Sequence, residues 1–132
     1  MSASRSVRVL DASAVLALLH EEPGADAVEA ALSDAAMSCV NLCEVLQKAE
    51  QHGIDTEGLE YDLEALGVRL HDFDGRAARE AAELWPLTRP MGLSLGDRAC
   101  LALARALGGA AVTADTRWAA LASSDLAIDV VR

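Results

Sequence analysis

The chain has 132 residues, enough for one domain that buries roughly two thirds of its unfolded surface, and its 52 % hydrophobic content excludes a disordered polypeptide. No apolar run reaches the length of a membrane span, and the opening MSASRSVRVL lacks the apolar stretch and cleavage site of a signal peptide, so a soluble cytoplasmic protein is expected. A net charge of −10, from 21 acidic residues against ten arginines and Lys48, excludes strong non-specific binding to phosphate backbones. It leaves room for an acidic site that becomes far less negative once loaded with divalent cations.

Strand and helix patterns alternate along the whole chain. VRVLDA (7–12) reads as a strand and SAVLALLHE (13–21) as a short helix stopped by Pro23-Gly24. ADAVEAALSD (25–34) places Ala27, Val28, Ala31 and Leu32 in a stripe of helical period. AMSCV (36–40) reads as a buried strand, and NLCEVLQKAEQHG (41–53) as a helix with Leu42, Val45, Leu46 and Ala49 on one face. DTEGLEYDLEALG (55–67) is a further amphipathic helix, VRLHDF (68–73) a strand, and DGRAAREAAELW (74–85) a helix interrupted at Pro86. SLGDRACLALARALGG (94–109) reads as a buried helix stopped by Gly108-Gly109. After it come a strand at 110–115, a short helix at 116–124 and a final strand at 126–131. Short strands separated by helices imply βα units, and so a three-layer α/β/α fold around a central parallel sheet.

Four acids share an address in such a fold. Asp11 ends the first strand, Glu44 and Asp97 sit in first helical turns, and Asp115 ends the penultimate strand. Ligands of open parallel sheets bind outside the carboxyl ends of the strands, where helix N-termini also point. Each acid alone is also readable as a helix cap: Asp11 and Asp115 as N-caps, Asn41 with Glu44 and Ser94 with Asp97 as capping pairs. Taken together the capping reading weakens, because Ser, Thr or Asn would cap without adding charge. Converging carboxylates repel one another and need a cation to stay ionised. An all-oxygen donor set suits Mg²⁺ or Mn²⁺, and two such ions can stabilise the attacking and leaving oxygens of a phosphodiester displacement.

The segments VLDASAVLALL, VNLCEVL, LSLGDRACLALA and VTADTRWAAL resemble the four ordered motifs of PIN-domain ribonucleases, and more closely those of the VapC toxins of VapBC toxin–antitoxin pairs. The resemblance runs from about Val7 to Val131, so residues 1–132 are expected to form a single PIN domain; segment 53–72 matches only in helical character. It implies a metal-dependent endoribonuclease with Asp11, Glu44, Asp97 and Asp115 as the acidic quartet holding Mg²⁺ or Mn²⁺. Ser13 and Thr113 take the place of accessory hydroxyls that orient a water on the metal or a carboxylate. It further implies cleavage of selected structured RNA, often transfer RNA, leaving a 5′-phosphate and arresting translation. A VapB-like antitoxin that covers the acidic edge and a toxin homodimer are the implied partners. The early helices 13–21, 25–34, 41–53 and 55–67, short and striped with apolar residues, could form the groove for an antitoxin helix.

Other classes fit less well. A haloacid-dehalogenase-type phosphohydrolase needs a second Asp where Ser13 stands, and a receiver domain needs a lysine at a late strand end, whereas Lys48 lies mid-helix. No glycine-rich phosphate loop precedes a helix. The remaining rival is a PIN-like domain that serves as a regulatory binding module without nuclease activity. Cys39, Cys43 and Cys100 lack disulfide or zinc spacing and read as buried small hydrophobes, and His20, His52 and His71 form no metal motif. Trp85 and Trp118 read as packing residues. Arg98 and Arg117 are open to either a structural ion pair or a contact with RNA phosphate.

Overall fold

A computed structural model describes residues 7–132; residues 1–6 of the opening MSASRSVRVL, where no signal peptide is expected, lie outside the described residues. Five strands form one sheet: β1 (Arg8–Leu10), β2 (Ala35–Ser38), β3 (Arg69–His71), β4 (Ala110–Thr113) and β5 (Ala127–Val130), in the order β3-β2-β1-β4-β5. Every pairing is parallel, with Val9 opposite both Ala36 and Ala111. The expected three-layer α/β/α arrangement is what the chain adopts.

The layers follow from strand alternation, since successive residues of a strand face opposite sides of the sheet. Val9, Ala36 and Ala111 face one core, shared with Leu84, Cys100, Leu101 and Trp118. Leu10, Met37 and Val112 face the other, shared with Val15, Val28, Val45 and Leu63. The second core is roofed by α1 (Ala12–Leu19), α2 (Ala25–Ala31), α3 (Cys39–Gln51) and α4 (Leu59–Ala65). The first is covered by α5 (Gly75–Glu83), α7 (Leu95–Leu107) and the 3-10 turn Thr116–Leu121. Between α5 and α7 lie the one-turn α6 (Trp85–Thr88), begun rather than broken by Pro86, and the 3-10 turn Arg89–Met91. Among the described residues no helix is long and apolar enough to cross a membrane.

Several boundaries differ from the sequence reading, and one bears on the site. The strand expected at 36–40 stops at Ser38, whose hydroxyl accepts from the Val40 backbone N–H and caps α3. Cys39, Val40 and Asn41 are therefore already helical. The helix expected at 116–124 is 3-10 in character, and 25–34 changes from α to 3-10 at Leu32. Of the three cysteines only Cys100 is buried; Cys43 is exposed, on the outer side of α3. Trp118 is fully buried as expected, but Trp85 is 52 % exposed, at the start of the separate one-turn α6 rather than on the packed face of α5.

Candidate active site

Asp11 is the most enclosed of the four acids, only 3 % exposed at the end of β1. Its carboxylate caps α1 by accepting from the Ala14 backbone N–H at 2.8 Å. Ser13 Oγ donates to it at 2.7 Å, and Thr113 Oγ1 donates at 2.6 Å from the end of β4. Ser13 Oγ in turn accepts from the Ala114 N–H, and Thr113 Oγ1 from the Asp115 N–H. The two hydroxyls so tie the ends of the adjacent strands β1 and β4 to one carboxylate. Burial pushes the Asp11 carboxyl up from 3.8 to about 6, against the pull of these hydrogen bonds; the nearby Asp97 charge adds to the rise.

Glu44 shows why the start of α3 matters. With Ser38 as the cap, Glu44 lies in the second turn, beyond the reach of any free backbone N–H, so Asn41 and Glu44 are not a capping pair. The fully enclosed Asn41 instead points its amide across to α7, donating to Glu44 Oε1 at 3.2 Å and to the Gly96 carbonyl at 3.0 Å. A side chain at position 96 would be driven into that carboxylate, since a Cβ there would stand 2.1 Å from Glu44 Oε1. Gly96 is thus the seat of Glu44. Burial raises the Glu44 carboxyl, opposed by Asn41 and Lys48 and reinforced by Asp97. Neither Asn41 nor Gly96 stood out as a site residue in the sequence. The available signal was a poor helix former, Gly96, in the first turn of an otherwise strong helix.

Asp97 makes a complete capping box with Ser94: the Ser94 N–H donates to Asp97 Oδ2 at 2.8 Å, and the Asp97 N–H to Ser94 Oγ at 3.2 Å. Its charge is nevertheless felt by both Asp11 and Glu44. Asp115 caps the 3-10 turn after β4 and is gripped by Arg117, whose guanidinium donates to it at 2.7 Å and to the Met91 carbonyl at 3.0 Å. That guanidinium holds the Asp115 carboxyl below its usual range. Arg98 is structural, reaching the Ala81 carbonyl of α5.

Asp97 thus lies within electrostatic reach of both Asp11 and Glu44, and Asp115 is joined to Asp11 through Thr113. The carboxylates do not converge on one point: among the described residues no three His, Cys, Asp or Glu stand close enough to hold a metal ion. Each carboxylate is turned onto a local donor instead. The residues nonetheless fit a hard divalent cation: the donor set is oxygen only, burial disfavours charge on Asp11 and Glu44, and the glycine at 96 leaves space for a carboxylate. Beside this edge opens a groove of about 660 Å³, lined by Ser13 and Asp115 together with His20, Lys48, His52 and Arg132. The His20 and His52 rings, far apart in sequence, stand 5.5 Å apart in it.

The family model of the PIN domain matches residues 8–123. No curated protein sequence matches the chain. Among solved structures, the DNA-bound VapBC from Salmonella typhimurium superposes with a TM-score of 0.70 at 16 % identity, over 97 % of this chain and 100 % of that one. VapBC2 from Rickettsia felis, bound to a DNA fragment from its promoter, gives 0.69 at 16 %, over 96 % and 99 %. VapBC-5 from Mycobacterium tuberculosis gives 0.58 at 22 %, over 97 % and 99 %. Matched by the family model along nearly all its length and folded as such a domain folds, the chain belongs to the PIN-domain family.

Proposed function

We propose that the protein is a divalent-metal-dependent endoribonuclease, with Asp11, Glu44, Asp97 and Asp115 as its acidic site, and that it is the VapC-like toxin of a toxin–antitoxin pair. The observation that carries the nuclease reading is Glu44. Three of the four acids do local work as caps, but Glu44 caps nothing and still has a dedicated amide and a side-chain-free seat. A partly buried carboxylate without a structural task is what a ligand-binding site requires.

Asp11, Glu44 and Asp97 would hold Mg²⁺ or Mn²⁺, with Asp115 completing the set. When bound, such an ion activates water and neutralises charge on the scissile phosphate. The chain's own residues supply order. Ser13 and Thr113 fix the Asp11 carboxylate, Asn41 fixes Glu44, and Arg117 holds Asp115 while anchoring the Met91 loop. In-line hydrolysis leaves a 5′-phosphate and a 3′-hydroxyl. Selected structured RNA, transfer RNA foremost, is the expected substrate, and arrest of translation the consequence.

The fold neighbours that carry VapBC names support a VapB-like partner, and the groove supports where it sits. Its walls include Leu16 of α1, His20 just after it and Lys48 of α3, beside Asp115. A basic residue of the antitoxin reaching the acidic edge would block metal or substrate. A homodimer of the toxin completes the assembly.

Sequencing RNA 5′-phosphate ends after induced expression tests the reading. A few discrete sites in structured RNA are expected, suppressed when the neighbouring gene is co-expressed and its product co-purifies. Uniform degradation would contradict selectivity. Unaltered RNA would favour a PIN domain that binds without cutting.

A further inference from the structure

Trp85 and Arg89 are exposed side chains that neither the fold nor the acidic quartet uses. Trp85 is 52 % exposed, and the Arg89 guanidinium lies over its ring, 5.0 Å from the centroid. Among the described residues no carboxylate pairs with Arg89, in a chain whose net charge is −10. Leu87 and Leu95, each 51 % exposed, flank the same turn.

The segment that carries them runs from α5 to α7, and residues beside the acidic edge bond both to α5 and to the segment's own last turn. Just before it, the Ala81 carbonyl of α5 accepts from Arg98, one residue after Asp97. Near its end, the Met91 carbonyl accepts from Arg117, whose guanidinium also grips Asp115. The residue that leads from it into α7 is Leu95, two before Asp97. The Trp85–Arg89 pair therefore lies in the stretch of chain between two contacts, Ala81 with Arg98 and Met91 with Arg117, made by residues beside Asp97 and Asp115.

We propose that this pair is a stacking platform for an unpaired nucleotide of the substrate: the indole takes a base and Arg89 the adjoining phosphate. The proposal rests on the nuclease reading of the acidic edge and deepens it, because a base can reach an indole face only where it has left a duplex. Base stacking on an aromatic ring tolerates any base, while the Arg89 guanidinium, paired with no carboxylate, is open to a phosphate. A protein partner fits the patch less well. Three half-exposed apolar side chains cover far less than the roughly 800 Å² per partner of a stable interface, whereas one base needs one ring face.

The test is binding in EDTA, where cleavage cannot contribute. The probe is a set of synthetic RNA hairpins with randomised unpaired loops, compared with fully paired duplexes of the same length. Trp118 is fully buried, so quenching of tryptophan emission on adding RNA reports Trp85. Expected are quenching and tighter binding by the loops, affinity reduced roughly tenfold or more by Trp85→Leu, and recovery of most of it by Trp85→Phe. Arg89→Ala should weaken binding and flatten its salt dependence. Unchanged affinity of Trp85→Leu for the loops would overturn this proposal alone. The same result with a loss of self-association in sedimentation would also overturn it, assigning the patch to a second copy of the chain. Absence of any RNA binding by the parental protein would also overturn this proposal, while the nuclease reading stands or falls on cleavage in Mg²⁺.

Discussion

Burial opposes the charge on Asp11, and that opposition is measurable. Its carboxyl is raised from 3.8 to about 6, so between these values the folded chain binds more protons than the unfolded one. The contribution of Asp11 to stability is therefore full below pH 3.8 and falls as pH rises through 6, by about 3 kcal/mol at most. Thermal denaturation in EDTA from pH 4 to pH 7 should show this loss, and Asp11→Asn, which still caps α1, should flatten it. Parallel pH curves for the two proteins would show that Asp11 is not held protonated by burial. Gly96 makes a second claim at this scale. In an ordinary helix Gly→Ala stabilises by about 1 kcal/mol. Here the added methyl displaces the Glu44 carboxylate, the mobile end of a long side chain, so Gly96→Ala should leave stability within about 1 kcal/mol. Affinity for Mn²⁺ should fall roughly tenfold or more, the range seen when a ligand's support is lost. Calorimetric titration compares the two proteins directly.

At the scale of elements, the site depends on how α3 meets α7. Asn41 is 1 % exposed and spans the two helices with two hydrogen bonds, one to a carboxylate. Asn41→Ala removes both of these hydrogen bonds, one of them to a carboxylate, from a closed space, which costs about 1–3 kcal/mol. Chemical denaturation should show that loss together with weakened Mn²⁺ binding. Full stability with intact binding would mean that the amide is dispensable. This junction was not legible in the sequence. Apolar periodicity marks α3 and α7 clearly, yet the strand-to-helix switch at Ser38-Cys39 falls inside an apolar run that either element could own. A shift of two residues in the start of α3 then turned Glu44 from a cap into a carboxylate without one. Trp85 is hidden from a sequence reading for a related reason: an aromatic at the end of a helical pattern is normally packed, but Trp85 opens a separate one-turn helix and stands half exposed.

For the molecule as a whole, the fold was largely readable. Short apolar strands without hairpin turns left few alternatives to a parallel sheet, and alternate residues of β1, β2 and β4 fill the two cores as that geometry demands. The address of the four acids followed from topology. Their individual orientations did not, because each carboxylate settles on whichever donors lie nearest. Asp97 is the sharpest instance, since its capping box is a sufficient structural reason for it to exist. Asparagine at this position is nearly isosteric and can still accept from the Ser94 N–H, but it removes the charge shared with Asp11 and Glu44. The most direct test is therefore the rate at which purified Asp97→Asn cleaves its RNA in Mg²⁺, beside the parental protein in Mg²⁺ and in EDTA. The expected result is a folded variant of near-parental stability whose cleavage is lost roughly a hundredfold or more, as it is for the parent in EDTA. Parental cleavage by a folded Asp97→Asn would contradict it, leaving Asp97 as a helix cap and nothing more.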